Sequence, residues 1–320
     1  MPANHPLKIS ITGGTGFVGR SLVKTLLERG NEVRVLSRRP VDTTSTFQGA
    51  RWHQGDLCHK IDPAFLSGAD TLYHLAAELN KPEEMEAVNV QGTANLLSAA
   101  TKAGVRRWIQ LSSIGVYGPP RELLVTEETT PIPANEYQKT KLTSDRLVQE
   151  ACQRFDMDHV ILRPSNIIGE EMKNGSFFAL VKAVSRGRYF FIGPRGAVAT
   201  YVHVDDVVRA LVACQEAVKG SVYNLSADCT WEALIDRIAT FAGGRSPRMR
   251  IPILPLRHVV GALEGWVRLP LTSSRLALLT NRSRYSSDRI VQELGFTFGK
   301  PMPRGIDDIV NYYIKKINSL

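Results

Sequence analysis

Short apolar runs recur along the chain, each bounded by polar turns: Lys8 to Thr12, Glu32 to Ser37, Arg51 to Gln54, Thr71 to Leu75, Trp108 to Ser112 and His159 to Arg163. Between them lie segments whose apolar residues repeat at helical spacing, notably Ser21 to Arg29, Glu84 to Ala103 and Tyr137 to Phe155. Strand runs alternating with helical segments predict a parallel sheet covered on both faces, an α/β, doubly wound architecture. After Pro164 the pattern becomes irregular, with Gly, Pro and aromatic residues mixed through Asn174 to Pro194 and Ile251 to Pro270. Thr200 to Val218 reads as strand then helix, and Val222 to Leu225 as a further strand, so the chain is expected to return to the sheet. The expected division is a first domain over 1–165, rejoined by 197–225, and a smaller mixed α/β lobe over 166–320, with a boundary discontinuous in sequence.

Composition narrows this picture modestly. The chain has 320 residues, 43% hydrophobic and 22% charged, as in ordinary globular proteins. Cys58, Cys152, Cys214 and Cys229 are scattered without ligand spacing, and His53 and His59 beside Cys58 lack a second cluster, so no metal is expected. No secretory signal precedes the first strand, and a cytoplasmic location is expected. A formal charge of +9 favours anionic partners. The basic residues are mostly dispersed, with short clusters at Arg38-Arg39 and Arg245 to Arg250 and no aromatic-interleaved stripe, which argues against nucleic acid. No apolar run reaches the roughly 20 residues of a transmembrane segment. Ile251 to Leu279 is strongly apolar but interrupted by Arg257, His258, Glu264, Arg268 and Arg275, and is expected to pack inside the second lobe.

Two motifs carry chemistry. Thr12-Gly13-Gly14-Thr15-Gly16-Phe17-Val18-Gly19 falls between the first strand and the first helix. Gly13 permits a tight turn, Gly16 lets the backbone approach a pyrophosphate, and Gly19 allows close packing of helix on strand. The anion then lies against the free N–H groups at the helix start, those of Phe17 and Val18 included. The second motif is Tyr137-Gln138-Lys139-Thr140-Lys141. Tyr137 and Lys141, four apart on a helix, share a face, and an ammonium near a phenol favours the phenolate, making Tyr137 a candidate proton donor or acceptor. Ser112 and Ser113 end a sheet strand at the carboxyl edge, where open α/β sheets bind ligands. Ser113 is placed to hold a carbonyl or alkoxide oxygen.

With these motifs in order, the chain resembles the extended short-chain dehydrogenase/reductases, the NAD(P)-dependent epimerase/dehydratase family. Further matching segments are Gly55-Asp56-Leu57, His74-Leu75-Ala76-Ala77, Val88 to Thr93, Leu162 to Asn166 with Gly169, Tyr201 to Val207, and Tyr223-Asn224-Leu225. The resemblance implies a Rossmann-type fold, catalytic Ser113, Tyr137 and Lys141, and Lys141 also on the nicotinamide ribose. It implies that Asp56 and Leu57 meet the adenine, and that Leu75, Ala76, Ala77 and Pro164 lie along the cofactor. Asn89 either joins the active-site network or satisfies backbone groups within its helix. His203 and Asp205 are expected to hold the two lobes together. A homodimer through the two long helices is also implied.

The second strand ends Val35-Leu36-Ser37-Arg38-Arg39 without the acid that binds adenosine ribose in NAD-selective members. Arg38 is suited to a 2′-phosphate, so NADP is expected to be preferred, with NAD possible. For the substrate, the resemblance places Asn166 and Arg282 or Arg284 where nucleotide-sugar enzymes contact the sugar nucleotide. Ala199 replaces an arginine frequent in such enzymes, with Arg195 nearby as a substitute. Leu269 to Thr272 and Leu279-Thr280 look like the hydroxysteroid dehydrogenase and dihydroflavonol reductase branch. The leading expectation is reduction or C4 epimerisation of a nucleotide sugar. The alternatives are an apolar alcohol or ketone substrate and, remotely, a non-catalytic cofactor sensor. Ile114 and Gly115 after Ser113 disfavour a dehydratase, which needs acids there.

Overall fold

The alternation of apolar runs resolves into one twisted sheet in the computed structural model, which describes residues 5–39, 47–172, 175–256 and 273–318. The first half of the chain runs β1 (Lys8–Thr12), α1 (Phe17–Glu28), β2 (Glu32–Ser37), β3 (Arg51–Gln54), α2 (Pro63–Leu66), β4 (Thr71–His74), α3 (Pro82–Met85), α4 (Gly92–Ala103) and β5 (Arg107–Leu111). Then follow β6 (Leu124–Val125), α5 (Glu136–Phe155), β7 (Asp158–Pro164), β8 (Asn166–Ile168), α6 (Gly175–Ser185), β9 (Phe191–Ile192), β10 (Val198–Ala199), β11 (Tyr201–His203) and α7 (Val204–Ala213). The chain continues through β12 (Ser221–Leu225), β13 (Cys229–Thr230), α8 (Trp231–Phe241), β14 (Arg250–Ile251), α9 (Ser273–Thr280), β15 (Arg284–Tyr285), α10 (Asp288–Leu294) and α11 (Asp307–Asn318).

Seven parallel strands form the main sheet in the order β12-β7-β5-β4-β1-β2-β3. The order reverses beside β1, which creates the crevice at the carboxyl ends where ligands of such sheets bind. Side chains alternate between two cores. Ile9, Ile11, Tyr73, Ile109, Val160 and Leu162 face α1 and α7. Leu72 and Trp108 face α2, α4 and α5 with Leu96, Val148 and Cys152. Helix α1 commits one stripe, Val18, Leu22, Val23 and Leu26, to the sheet, the spacing that helical geometry requires.

Three local expectations are adjusted. Helix α1 begins at Phe17, not Ser21, because Gly16 already serves as its N-cap. The helix expected from Glu84 to Ala103 is divided by a π-helical turn at Glu86–Gln91. Of the segment expected to rejoin the sheet, only β12 pairs with it, on β7, whereas β11 pairs with β8 in a separate two-stranded ribbon.

A further core gathers Phe177, Val181, Trp231, Leu234, Ile235, Ile309 and Val310 from α6, α8 and α11. The tie between this region and the sheet side of α7 is Asp206 rather than the expected Asp205. Asp206 is fully buried and accepts from the backbone N–H groups of Gly299 (2.7 Å) and Lys300 (3.0 Å). Asp205 is exposed, and His203 caps α7 by accepting from the Asp205 N–H at 3.1 Å. Most of the apolar stretch after Ile251, residues 257–272 with Leu269 to Thr272 among them, lies outside the described residues.

Candidate active site

The glycine turn meets the end of β4 at backbone contact. Gly13 has φ +72°, and a Cβ there would lie 2.6 Å from the Ala76 nitrogen. A Cβ at Gly19 would stand 2.1 Å from the Gly13 carbonyl oxygen, so helix and turn can approach only through glycine. Gly16 caps α1 without a side-chain hydrogen bond, and the first turn carries no acidic residue. The N–H groups of that turn, from Phe17 through Gly19, therefore face a cradle free of competing carboxylates, which fits a dinucleotide pyrophosphate. Leu75 closes the same edge by donating its N–H to the Thr12 carbonyl at 3.1 Å, and Ala76 and Ala77 continue it half-buried.

Arg38 is exposed just past β2. Asp56 lies across from it after β3, and both charges act on the Cys58 thiol, whose N–H donates to Asp56 Oδ1 at 3.0 Å. Leu57 is buried beside them. Pro164 is buried at the end of β7, paired with Leu225.

Ser113, Tyr137 and Lys141 converge at the carboxyl end of β5. The Tyr137 phenol lies beside the Ser113 side chain, near enough for Ser113 to pull its pKa down. Ser113 Oγ also accepts from the Gly115 N–H at 3.0 Å, which orients it at the start of a short 3-10 turn. Lys141 is buried and donates from Nζ to the Leu111 carbonyl at 2.7 Å. The expected lowering of the Tyr137 pKa by Lys141 is not what this arrangement gives. Burial raises the phenol above its ordinary value, the Ser113 hydrogen bond opposes that rise, and the Asp145 charge adds to it. Burial likewise lowers the Lys141 ammonium, with Asp145 opposing.

Asp145, eight residues past Tyr137 and on the same helix face as Lys141, was not singled out from the sequence, although that spacing is legible there. It is fully buried and pairs with Arg163, 7% exposed, at 3.2 Å. Its Oδ2 also accepts from Ser112 Oγ at 2.8 Å. Arg163 donates onward to the Tyr117 hydroxyl (3.0 Å), which donates to Asn224 Oδ1 (2.9 Å). Burial pushes the Asp145 carboxyl up, and Arg163, Lys141 and Ser112 pull it back.

Asn89 sits on the π-helical turn and bridges elements instead of serving its own helix. Its Oδ1 accepts from the Glu78 N–H (2.7 Å), and its Nδ2 donates to the Glu78 carbonyl (3.1 Å) and to Thr140 Oγ1 (3.1 Å). It fastens the loop after β4 to the helix turn that carries Tyr137 and Lys141.

Behind this group runs a buried polar chain. Trp108 donates to Gln110 Oε1 (3.0 Å), and Gln110 donates to Ser144 Oγ (2.8 Å). Ser144 meets Thr93 Oγ1 (3.0 Å), which gives its own proton to the Asn89 carbonyl (2.6 Å). Thr93 must then accept from His74 Nε2 (3.0 Å), leaving His74 Nδ1 to accept from Thr12 (2.6 Å). Those constraints assign the neutral Nε2–H tautomer. Burial, with Lys141 adding to it, lowers the His74 pKa to about 3.

The three residues expected on the substrate, Asn166, Arg282 and Arg284, are all exposed. Asn166 is exposed, and its amide donates to the Thr200 carbonyl at 3.0 Å. Arg282 donates from Nη2 to the Arg195 carbonyl at 2.6 Å. Arg284 is exposed on β15, opposite Leu124. Among the described residues, none of them hydrogen-bonds to Ser113, Tyr137 or Lys141. Ala199 is buried in β10, 1% exposed.

Comparison with known proteins places these features in context. Residues 9–226 match the model of the NAD dependent epimerase/dehydratase family. Sterol demethylase protein B of Methylococcus capsulatus is 31% identical over 307 residues, covering 89% of this chain and 92% of that protein. The 3 beta-hydroxysteroid dehydrogenase/Delta 5-->4-isomerase of Mycobacterium tuberculosis is 27% identical over 345 residues, 96% and 90% of the two chains. The structure of UDP-glucuronic acid 4-epimerase from Bacillus cereus in complex with NAD shares the fold at TM-score 0.75 and 20% identity, covering 97% of this chain and 99% of that one.

The His74 pKa lies below its unfolded value of 6.5, so its contribution to stability is complete above pH 6.5 and is lost as pH falls toward about 3. We expect a slope of up to ~1.4 kcal/mol per pH unit from this group. His74→Gln should flatten the pH dependence of urea unfolding between pH 7 and 5; equal slopes in both proteins would refute the assignment.

Proposed function

The chain belongs to the NAD dependent epimerase/dehydratase family, and from that premise we propose that it is an oxidoreductase interconverting a secondary alcohol and a ketone, with NADP(H) preferred over NAD(H). The observation that carries this reading is the contact of Tyr137 with Ser113, with Lys141 buried one helical turn on. The Gly13 to Gly19 turn would hold the pyrophosphate, Asp56 and Leu57 the adenine, Leu75, Ala76, Ala77 and Pro164 the length of the cofactor, and Lys141 the nicotinamide ribose. Arg38 supports the NADP preference, being exposed at the end of β2 with no acid beside it on that strand.

A bound nicotinamide supplies or removes the hydride. Ser113 Oγ, fixed by the Gly115 N–H, holds the substrate oxygen. Tyr137 Oη gives that oxygen its proton in reduction and takes it back in oxidation. Burial keeps the phenol protonated at neutral pH, which readies the free protein for the donor role. Lys141 and Asn89 set the height and rotation of this helix turn through Leu111, Glu78 and Thr140.

For the substrate, an apolar ketone or alcohol is better supported than a nucleotide sugar. The Asn166 Nδ2 group is engaged on Thr200, one arm of Arg282 is engaged on Arg195, and Ala199 offers no cation. The two sequence relatives are named for sterol chemistry and resemble this chain more closely than the epimerase does. A nucleotide sugar is the second reading, favoured by the exposed Arg284.

Tyr137→Phe should lower kcat about 10²–10⁴-fold while leaving the NADPH Kd unchanged, measured by fluorescence titration. Unchanged turnover would remove Tyr137 from the mechanism. Arg38→Ala should weaken NADPH about 10- to 100-fold and NADH little; equal losses would assign Arg38 no part in cofactor choice. Millimolar UDP should leave the Tm unmoved, whereas a rise would favour the nucleotide-sugar reading.

A further inference from the structure

A second surface lies on the further core. Strand β14 pairs with β9, and Gly193 follows directly after β9. A Cβ on Gly193 would meet Thr280 Cγ2 at 3.3 Å and Ile253 Cβ at 3.7 Å, so the end of α9 and the segment after β14 come together there. Around that point large aliphatic side chains face outward: Met249 is 60% exposed, Leu254 67% and Leu278 60%. At the described ends of Ile251 to Leu279, expected to pack inside the second lobe, Leu276 is buried while Leu254 and Leu278 are exposed.

The charge around these side chains is mainly positive, with one exposed carboxylate, Asp236, accepting from Ser246 Oγ. Arg188, Arg195, Arg245 and Arg248 are all exposed. The nearest carboxylate packed on the β14 strand, Glu232, is neutralised by Arg250 at 2.7 Å. Arg250 is itself committed, also donating to the Gly193 carbonyl at 2.7 Å and lying over the Phe191 ring.

We propose that this face docks on an anionic lipid bilayer. Exposed aliphatic residues with exposed arginines close to them in the chain match the boundary between acyl chains and phosphate headgroups, where aliphatic groups insert and guanidiniums meet phosphate oxygens. Nucleic acid fits less well, because the groups interleaved with the arginines are aliphatic and provide no stacking platform. The docking is peripheral: no described helix is long and apolar enough to cross a membrane. The proposal does not depend on the substrate reading above.

The test is co-sedimentation of the full chain with vesicles of phosphatidylcholine alone or mixed with phosphatidylglycerol. Binding is expected only to the mixed vesicles and should fall steeply as salt is raised to about 1 M. Arg245→Gln with Arg248→Gln should weaken it about 25-fold, at about 5-fold for each arginine. Met249→Ser with Leu278→Ser should weaken it at least ~10-fold. All four positions are exposed, so unchanged melting curves are expected and separate lost docking from lost folding. No binding to anionic vesicles at low salt, or binding that either double variant leaves intact, overturns the proposal. A dimer seen by analytical ultracentrifugation without vesicles, and abolished by Met249→Ser with Leu278→Ser, would instead give the face to a second copy of the chain.

Discussion

The buried ion pair between Asp145 and Arg163 is the constraint around which the site is arranged. Both groups are almost wholly removed from water, where such a pair is costly unless its polar atoms are engaged; here Arg163 and Asp145 Oδ2 are engaged, while Asp145 Oδ1 is buried without a hydrogen-bond partner. Ser112 supplies one partner from β5, and Tyr117 with Asn224 supplies others from the 3-10 turn and β12. Helix α5 is thereby locked to three neighbouring strands of the sheet at the level of Tyr137 and Lys141. Loss of either ion would leave the other buried and uncompensated, a cost of about 3–5 kcal/mol. The pair is therefore better understood as fixing where the helix sits than as adding stability.

Much of the sheet was legible because its strands are short, apolar and separated by helical periodicity, and the carboxyl-edge position of Ser113 followed from that alone. Element ends were less legible. Helix α1 starts four residues earlier than its apolar stripe suggests, since a glycine cap leaves no hydropathy signal. The π-helical turn at Asn89 is invisible to periodicity, being a single wide turn within an unbroken helical path.

Long-range polar pairing was the least legible part. Asp145 and Arg163 are 18 positions apart, and nothing local to either marks the other. Asp206 and Asp205 are adjacent, and only the fold decides that the first is buried against Gly299 and Lys300 while the second faces solvent. His74 reads as the polar end of a strand. Its fixed tautomer emerges only when Thr12, Thr93 and Ser144 are brought together from three separate elements. Asn166 and Arg282 carry suitable chemistry for a ligand, but nothing local in sequence shows that each gives one donor group to a backbone carbonyl far along the chain.

Phe17 touches both halves of the molecule. Its N–H belongs to the turn proposed to hold the pyrophosphate, while its ring lies on the backbone of Gly169, where a Cβ would come within 2.7 Å of Cζ. Gly169 directly follows β8 and is also hemmed in by Val204. A change of side chain at Phe17 would thus be felt at both ends of that contact, in the glycine turn before α1 and in the chain leaving β8.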